Sequence, residues 1–583
     1  MSKQNRPNWN SRLLKYARVA AIVALLLLAV YVGSLVAGLQ PQGIQPIWQQ
    51  IGVPPCIVDP ANLPPPTRPD GSTANYLHTC GNRLCDSKGR EVRITGINWF
   101  GAETDTFVPH GLWSRHWESI LDQIANLGYN TIRLPYSNEM LRPGIEPRGI
   151  DYNINPDLQG LTSLQVMDKI IAGARERGIK VILDRHRPTS AGQSPLWYTD
   201  EVSEEQWIAD WRMLASRYFG DDTIIAVDLH NEPFAEATWG SGDLANDWAL
   251  AAERAGNAIL EVNPYLLILV QGIENYNGDW YWWGGNLKGV AVRPVILNTP
   301  NRVVYSPHDY GPQVFLQGWF NDPNFPNNLP DIWDQHWGYI HREGIAPVIL
   351  GEFGGRSVTE GAEALWQRTL LDYLRKRQIG FINWTLNPNS GDTGGLLSDD
   401  WESVLQEKQD LYRQYLAPPI SGGEGNRRGA STPDLKVFYR SANVEDQVNN
   451  ISFFFQVFNG GPSALDLARV ELRYWFSAGN VRGREQYALV DWSTISAGDI
   501  HTEFVRLDGE GDNYYLRITF GQGAGSIAPY SSSAPVLIRF HKSDWSNYVQ
   551  SNDYSFGPIT ESREWDRITL YLDGRLVWGK EPD

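Results

Sequence analysis

The feature that most constrains this 583-residue chain is a regular alternation of two patterns over residues 75–416. Short runs rich in Val, Ile and Leu, typical of strands buried on both faces, precede longer segments with apolar residues at helical spacing. The strand-like runs are residues 92–99, 131–135, 181–186, 224–230, 266–272, 303–308, 347–353 and 381–386. The helical segments are residues 117–127, 163–177, 203–218, 244–262, 332–342, 362–377 and 404–416. This alternation predicts an α/β fold, a (β/α)8 TIM barrel, whose weakest crossover is the loop of residues 273–301.

The pattern changes after residue 416. Residues 417–433 are rich in Gly, Pro and Ser, which predicts a flexible linker. Residues 434–583 then hold short strand-like runs separated by Gly, Ser and Asn turns, without helical periodicity. This second region therefore predicts an antiparallel β-sandwich.

The N-terminal segment has the pattern of a membrane anchor. Residues 1–18 are polar and basic with no acid, and residues 19–39 are uncharged and would span about 31 Å as a helix. This arrangement predicts a single-pass protein with its N-terminus inside and the remainder on the extracellular face of the membrane. The alternative is a cleaved signal peptide, which would make the protein secreted. Residues 40–74 are Pro-rich and predict a stiff spacer.

Charge and aromatic content narrow the classes of partner. A net charge of −17 disfavours nucleic acid and anionic substrates, because phosphate binding needs clustered Lys and Arg. The 24 Trp and 26 Tyr residues are an unusual excess, and flat aromatic rings stack well on the C–H faces of sugars. These properties favour a neutral polymer as partner, and we expect the chain to be a monomer.

Three cysteines leave the redox state open. Cys80 and Cys85 flank a predicted hairpin turn, where either a disulfide or two free thiols would fit. Cys56 lies in a Pro-rich stretch and has no evident partner. No Cys/His spacing indicates a zinc site.

Polar or aromatic residues stand at the ends of six of the strand-like runs. Because a barrel brings the carboxyl ends of its strands to one mouth, we expect these side chains to lie close together. Two of them are carboxylates from separate strands, the combination that cleaves glycosidic bonds. In chain order the residues are Arg133, His186, Asn231 with Glu232, His308 with Tyr310, Glu352 and Trp384.

The same segments carry an ordered set of motifs. These are Thr95-Gly-Ile-Asn-Trp-Phe, Asn130-Thr-Ile-Arg-Leu-Pro-Tyr, Asp184-Arg-His-Arg-Pro, Asp228-Leu-His-Asn-Glu-Pro, Ser306-Pro-His-Asp-Tyr, Gly351-Glu-Phe-Gly and Trp384-Thr-Leu-Asn-Pro. Over residues 75–420 the chain resembles glycoside hydrolase family 5, the cellulase family. Through His110-Gly-Leu-Trp and Ser390-Gly-Asp-Thr-Gly-Gly it is most similar to bacterial endo-β-1,4-glucanases.

The resemblance implies roles for the residues at the barrel mouth. Glu352 is the implied nucleophile, and Glu232 the implied general acid/base of a retaining mechanism, which needs carboxyl groups about 5–5.5 Å apart. The pKa of Glu232 should be raised so that it can donate a proton. The implied substrate-binding residues are Arg133, His186, Asn231, His308, Tyr310 and Trp384, with Trp113 and Trp283 as cleft aromatics unless they only pack the barrel. Leu386 and Gln271 stand where relatives often have Trp and Glu, so the subsite preference stays open.

The C-terminal region resembles carbohydrate-binding module family 3. The resemblance rests on Leu472-Arg-Tyr-Trp, Lys542-Ser-Asp-Trp-Ser-Asn-Tyr, Ser551-Asn-Asp-Tyr-Ser and Leu576-Val-Trp-Gly-Lys-Glu-Pro. It implies a flat cellulose-binding strip formed by Asp491, Trp492, Arg539 and Trp545, although either Trp could instead be buried. The family commonly holds one structural calcium, and Asn552 and Asp553 match ligand positions. However, Gly479 and Val549 stand where an Asp and a Thr are expected, so calcium binding stays open.

These resemblances imply an endo-β-1,4-glucanase that hydrolyses cellulose or a related β-glucan with net retention and without a cofactor for catalysis. A mannanase or xyloglucanase of the same fold is an alternative, as is transfer of sugar to another sugar. A further alternative is a non-catalytic carbohydrate-binding surface protein, which the presence of both Glu232 and Glu352 disfavours.

Overall fold

The structure is a computed structural model that describes residues 67–68, 71, 73–420, 435–461, 464–479, 485–507, 512–528 and 531–582. The predicted anchor of residues 19–39, most of the Pro-rich spacer and Cys56 lie outside the described residues, as does most of the linker of residues 417–433. In the part that is described, every helix is too short or too polar to cross a bilayer.

Eight parallel strands form the first domain and confirm the predicted barrel. They are hydrogen-bonded in the order β11-β8-β7-β6-β5-β4-β13-β12. Isolated parallel bridges from Tyr305 to Val348 and from His308 to Glu352 close the ring between β11 and β12. The strands of this domain are β1 (His78–Cys80), β2 (Arg83–Cys85), β3 (Glu91–Val92), β4 (Thr95–Asn98), β5 (Thr131–Ser137), β6 (Lys180–Arg187), β7 (Ile224–Asp228), β8 (Leu267–Val270), β9 (Asn275–Tyr276), β10 (Asp279–Trp280), β11 (Val303–Tyr305), β12 (Ile349–Phe353) and β13 (Gly380–Asn383).

Helices surround the barrel at nearly the predicted positions. The helix predicted over residues 117–127 has these bounds in the structure, and it buries Ile120, Leu121 and Ile124 along one face. Thr162 begins the next helix with a reciprocal capping box to Gln165. The helices are α1 (Trp117–Leu127), α2 (Ser163–Glu176), α3 (Glu204–Arg217), α4 (Trp248–Val262), α5 (Leu329–Trp333), α6 (Tyr339–Arg342), α7 (Gly361–Arg377) and α8 (Gln406–Arg413).

Two crossovers depart from simple helices. The segment predicted to be a loop, residues 273–301, contains the β9–β10 hairpin and a 3-10 turn, Lys288–Ala291, which agrees with the expectation of a weak crossover. The helix predicted over residues 332–342 is present as a continuous helical segment from Leu329 to Arg342, but its middle turn, Asp334–Gly338, is π-helical and divides α5 from α6.

A small hairpin closes the N-terminal end of the barrel. Strands β1 and β2 pair antiparallel, and Leu77 and Leu84 pack against the apolar side chains inside the barrel. A disulfide joins Cys80 to Cys85 across this hairpin, which decides between the two predicted states. Apolar residues therefore fill this end, and the polar strand ends are left to the opposite mouth.

The described residues of the second domain form two large antiparallel sheets, as predicted, and two smaller sheets of two strands each. One sheet has the order β19-β24-β16-β14-β26, and the other has the order β20-β21-β18-β27-β28. Their inner faces share one core, to which Val437 and Phe453 come from the first sheet and Leu472 and Leu516 from the second. The strands are β14 (Leu435–Ser441), β15 (Gln447–Val448), β16 (Asn450–Asn459), β17 (Leu465–Asp466), β18 (Val470–Ser477), β19 (Gln486–Ser493), β20 (Ile500–Arg506), β21 (Asn513–Phe520), β22 (Ser526–Ile527), β23 (Ser531–Ser532), β24 (Val536–Lys542), β25 (Tyr548–Val549), β26 (Arg563–Glu564), β27 (Ile568–Leu572) and β28 (Arg575–Trp578).

Candidate active site

The two predicted acids face each other at the carboxyl end of the barrel. Glu352 is the fourth residue of β12, and Glu232 lies four residues beyond the end of β7. One carboxylate oxygen of each and a ring nitrogen of His308 lie within 4.8 Å of one another. A separation this short suits a retaining mechanism, in which one carboxylate attacks the sugar and the other protonates the glycosidic oxygen. An inverting mechanism needs a larger separation, because a water molecule must fit beside the sugar.

Glu352 is held by charged and polar donors. Arg133 Nη1 donates to Glu352 Oε1 at 2.6 Å, and the Tyr310 hydroxyl donates to Oε2 at 2.5 Å. Arg133 is fully buried and also contacts Asp184 and Asp228, each at 3.0 Å. These contacts fix the position of the Glu352 carboxylate and favour its ionised form.

Glu232 has different partners. Gln193 Nε2 donates to Glu232 Oε2 at 2.9 Å, and His308 Nδ1 lies 2.9 Å from Oε1. The backbone of Glu232 has φ +50°, a left-handed conformation that a residue with a side chain adopts at some cost in free energy. Its N–H donates to Gln271 Oε1 at 2.7 Å, which anchors this strained residue.

Burial is the largest influence on the pKa values of the ionisable groups in the site. It raises the pKa of Glu232 and of Glu352 to about 7, against the opposing attraction of Arg133. Burial also lowers the pKa of His308 to about 4, so its imidazole is neutral at pH 7. Since Arg133 and Tyr310 donate to Glu352 and not to Glu232, the proton that the two acids retain belongs on Glu232.

Asp184, Asp228 and Gln271 support the site. The sequence did not single out the two aspartates as site residues, and it marked Gln271 only as a position where relatives often have Glu. Gln271 Nε2 donates to both oxygens of Asp228 at 3.0 Å, and Asp228 in turn accepts from Arg133. Asp184 Oδ2 lies 2.6 Å from Nδ1 of His186. Asp184 and Asp228 each begin one of the motifs found at the strand ends, so the sequence contained a signal that could have identified them. Gln193 lies in a loop with no such signal.

Aromatic rings line the cleft at Trp384 and Trp283. The Trp384 ring lies nearly parallel to those of Phe100 and His186, with centroids 5.4 Å away in each case. Trp283 is 42% exposed and stacks on Phe234 at 4.0 Å. These faces are suited to stacking on sugar rings.

Trp113 is the predicted cleft aromatic that the structure does not bring to the cleft wall. Its ring contacts His110 and Trp401 at 5.2 and 5.1 Å, and it is 39% exposed. It therefore lies beside the cleft, separated from Phe100 by His110.

The cleft around the acids has a volume of about 680 Å³. Its walls combine the aromatic faces with polar side chains, a mixture suited to an elongated neutral ligand with many hydroxyl groups. Further wall residues that the sequence did not single out are Glu103, Glu274, Phe315 and Asn389, whereas the wall residue Asp392 belongs to the motif that begins at Ser390.

Three of the four residues predicted for the binding strip lie on the neighbouring strands β19 and β24, and Trp545 follows the end of β24. Arg539 on β24 forms a bidentate pair with Asp491 on β19, at 2.9 and 3.0 Å. Trp492 is 49% exposed, and Trp545 is 46% exposed and stacks on His541 at 3.8 Å. Neither Trp is buried, so both rings are available to a ligand.

The residues at the predicted calcium positions are only partly arranged as ligands. Asp553 is buried, and its Oδ1 accepts from the backbone N–H of Ser477 at 2.7 Å. Asn552 ends the short turn Gln550–Asn552 beside it. Among the described residues, Asp553 belongs to no group of three or more His, Cys, Asp or Glu side chains close enough to hold one ion.

Comparison with known proteins supports both domains. Residues 85–390 match the family model "Cellulase (glycosyl hydrolase family 5)", and residues 436–579 match the model "Cellulose binding domain". An endoglucanase of Paenibacillus polymyxa is 55% identical over 354 residues, which cover 60% of this chain and 89% of that protein. The major extracellular endoglucanase of Xanthomonas campestris is 47% identical, over 59% of this chain and 72% of its own length.

Solved structures give the same assignment. The catalytic domain of the Xanthomonas campestris enzyme is 46% identical, with a TM-score of 0.56 over 58% of this chain and 99% of that chain. An endocellulase of Pyrococcus horikoshii, in complex with cellotetraose, is 42% identical, with a TM-score of 0.57 over 60% of this chain and all of that one. The chain therefore belongs to glycosyl hydrolase family 5 and is a glycoside hydrolase whose barrel is followed by a cellulose-binding domain.

Proposed function

We propose that this protein is an endo-β-1,4-glucanase that cleaves cellulose chains with net retention of anomeric configuration. The observation that carries the proposal is the pair Glu232 and Glu352, with carboxylate oxygens within 4.8 Å of each other. The relatives named above are endoglucanases and an endocellulase, one of them solved with cellotetraose. Both lines of support favour a β-1,4-glucan as substrate.

The proposed reaction has two steps. Glu352 attacks the anomeric carbon while Glu232 gives its proton to the departing glycosidic oxygen, which leaves a covalent glycosyl-enzyme. Glu232, now ionised, takes a proton from water, and the water oxygen attacks the same carbon and releases Glu352. Two inversions give net retention. The raised pKa of Glu232 supports the first step, because the acid is protonated near neutral pH.

The residues around the acids have proposed positioning roles. Arg133 and Tyr310 orient the nucleophile. Asn231 accepts from Arg133 at 3.0 Å, and its amide group lies 3.4 Å from Nε2 of His186. This orients the amide toward a sugar hydroxyl, and we assign it to the 2-hydroxyl of the reacting sugar.

The remaining predicted residues complete the proposed substrate path. His186 and His308 bind hydroxyls or orient the acids, and Trp384 forms the floor beneath the reacting sugar. Trp283 stacks on a sugar further along the cleft. Trp113, which lies beside the cleft, stacks on a sugar that extends past the cleft wall. No cofactor takes part in this scheme.

The C-terminal domain holds the enzyme on its substrate. The proposed platform consists of Trp492, Trp545 and the pair Asp491–Arg539. The two rings are exposed, and an exposed ring can stack on the flat face of a sugar in a glucan chain. Linkage to the barrel raises the local concentration of substrate without adding to the chemistry.

We further propose that residues 19–39 anchor the chain in the membrane with the barrel outside, and that residues 40–74 and 417–433 act as linkers. The uncharged run preceded by basic residues supports this. Separation of membranes from culture medium tests it. Full-length chain in the membrane fraction is expected, whereas chain shortened at its N-terminus in the medium would indicate cleavage and secretion.

Sugar release from a panel of purified polysaccharides tests the substrate. Cellulose and soluble cellulose derivatives should be cleaved at internal bonds, so that viscosity falls faster than reducing ends appear. Faster cleavage of mannan or xyloglucan would replace the glucanase assignment by one of the alternatives. Activity on none of them would contradict the enzyme proposal.

A further inference from the structure

Two phenylalanines on the outer face of one sheet of the second domain are buried. Side chains alternate along a strand, and Val437 of β14 and Val457 of β16 belong to the sandwich core. Phe438 and Phe458, the next residue on each strand, therefore point away from that core. Each is only 2% exposed, although the outer face of an antiparallel sheet usually meets water. A part of the protein outside the sandwich core must therefore cover these rings.

The barrel contacts this surface. The ring of His116 lies 4.8 Å from the ring of Phe458, and Phe438 meets the Phe458 ring edge-on at 6.4 Å. Strand β26, which pairs with β14 opposite Phe438, contacts the barrel turn Pro156–Leu158. Two separate segments of the barrel thus meet neighbouring strands of one sheet.

Hydrogen bonds hold the barrel side of this contact in place. His116 is the N-cap of α1, and its Nδ1 accepts from the backbone N–H of Glu118 at 3.3 Å. Trp117 Nε1 donates to Asp157 in the turn at 3.1 Å, and Nε2 of His116 lies 3.5 Å from the same carboxylate. The ring that meets Phe458 is therefore fixed by the barrel itself.

The contact lies at the end of the barrel that carries the acids. Helix α1 follows β4, and the turn Pro156–Leu158 follows β5, so both stand at the carboxyl ends of strands. Trp113, the exposed ring beside the cleft, precedes His116 by three residues. The sandwich therefore meets the barrel near the cleft, and not near the hairpin that closes the opposite end.

The other side of the same sheet face is open. Arg539 on β24 also points away from the core, because Ile538 and Phe540 on either side of it belong to the core. Its partner Asp491 is exposed, and the neighbouring ring of Trp492 is 49% exposed. One sheet face is thus covered at β14 and available to a ligand at β19 and β24.

We infer that Phe438 and Phe458 form a docking surface for the barrel of the same chain, and that this contact sets the direction of the binding strip relative to the cleft. The docking itself does not depend on the substrate. Its consequence for cellulose rests on the proposed function, because the strip must hold the polymer that the cleft cuts. The alternative occupants of this surface are a second copy of the chain and the polymer itself.

A double-mutant cycle on the full chain tests the docking. His116→Asn removes the ring and keeps an oxygen that can accept from Glu118, so α1 keeps its cap. Phe458→Ser removes the other ring. Each single variant should lower the Tm of the first unfolding transition, and the double variant should lower it by clearly less than the sum of the two losses. Losses that add would overturn the docking.

Phe454→Ser is the matched control for the cycle. Phe454 stands on the same face of β16, where its ring packs against Arg440, so its loss and that of His116→Asn should add. Sedimentation of the unaltered chain should show a monomer. A dimer that dissociates in Phe458→Ser would overturn docking within one chain and favour a second copy.

Oxidative footprinting of the unaltered chain decides the question if the variants do not fold. Hydroxyl radicals should modify the exposed Trp492 and Trp545 and leave Phe438 and Phe458 unmodified. Rapid oxidation of both phenylalanines would overturn the docking.

Cleavage of crystalline cellulose tests the consequence. Folded Phe458→Ser should adsorb as the unaltered chain does and keep its kcat on a soluble glucan, but cleave fewer bonds per adsorbed molecule. Unchanged cleavage per adsorbed molecule would overturn the orienting role, and loss of adsorption would assign this surface to the polymer. An unaltered chain that cleaves no glucan would contradict the proposed function instead, and the result of the cycle would still stand.

Discussion

At the scale of single residues, the difference between Glu232 and Glu352 comes from their hydrogen-bond donors. Burial raises the pKa of both to about 7, so burial alone assigns no role. Arg133 and Tyr310 both donate to Glu352, whereas Glu232 accepts from the neutral amide of Gln193. The charged donor places the negative charge on Glu352 and leaves the proton on Glu232.

Replacing each acid should separate their roles. Glu232→Ala and Glu352→Ala should each lower kcat on soluble carboxymethyl cellulose by about 10²–10⁴-fold or more. On an aryl cellobioside with an acidic phenol, Glu232→Ala should still form the glycosyl-enzyme, because that leaving group needs no proton. Azide, which needs no base, should then restore turnover to Glu232→Ala by attacking the glycosyl-enzyme, which gives a β-glycosyl azide. In Glu352→Ala, azide can only attack the substrate directly, which gives an α-glycosyl azide by a single inversion. The opposite pairing of variants and anomers would reverse the assignment.

The pH profile should respond to Gln193. Its hydrogen bond favours the ionised form of Glu232 and so lowers the pKa of this acid. Gln193→Met removes that bond, so the pKa of Glu232 should rise further above its usual value. Because the first step needs Glu232 protonated, the alkaline limb of kcat/KM should move to higher pH, while the acid limb set by Glu352 stays in place.

A matched change on the surface provides the control for this profile. Gln206 on α3 is exposed and bonds Asp210, and Gln206→Met should leave both limbs unchanged. An alkaline limb that stays in place or moves to lower pH in Gln193→Met would refute the assigned protonation.

At the scale of elements, strand identity could be predicted from sequence better than strand ends. Apolar runs fixed which segments enter the barrel, since each strand is buried on both faces. The run predicted over residues 224–230 continues past the end of β7 at Asp228 because Leu229 and His230 are as buried as strand residues. The left-handed backbone at Glu232 and the bonds of Gln271 depend on contacts across strands, which periodicity does not encode.

Gln271 should prove to be a positioning residue that joins the strands β7 and β8. It accepts from the N–H of Glu232 and donates to Asp228, so Gln271→Met leaves buried groups without partners. We expect the free energy of unfolding to fall by about 1–3 kcal/mol. Since Glu232 would also lose its anchor, kcat should fall about tenfold or more while KM changes little.

A buried glutamine far from the acids separates stability from catalysis. Gln409 bonds Leu127 and Tyr129, and Gln409→Met should cost similar stability in denaturant titrations. Its kcat should stay near that of the unaltered enzyme. Equal loss of kcat in both variants would mean that Gln271 acts through general stability alone.

At the scale of the whole molecule, the two domains divide chemistry from attachment. The sequence motifs were enough to predict both domains. They also gave the eight strand-end residues, because each of these residues stands near the end of an apolar run. The wall residues Glu103, Gln193 and Asn389 could not be predicted, since they lie on loops whose approach to the cleft depends on tertiary packing. Likewise, the contact between Phe458 and His116 is visible only once the two domains are in place.

Removing the exposed rings of the binding strip should affect insoluble substrate only. Trp492→Ala and Trp545→Ala in the full chain should each weaken adsorption to crystalline cellulose, with stacking on each ring worth about 1–3 kcal/mol by analogy with other ring stacking. The kcat on a soluble glucan should not change. Phe219→Ala, which removes an exposed aromatic from the barrel, should leave adsorption intact. Unaltered adsorption in both tryptophan variants would contradict the proposed platform.

The anomeric configuration of the first product tests the central claim most directly. Proton NMR can follow a soluble cello-oligosaccharide within seconds of adding enzyme, before the new reducing end equilibrates in water. Two carboxylates within 4.8 Å predict that the β-anomer appears first. If the α-anomer appears first, Glu352 does not act as the nucleophile, and the account of this site is wrong.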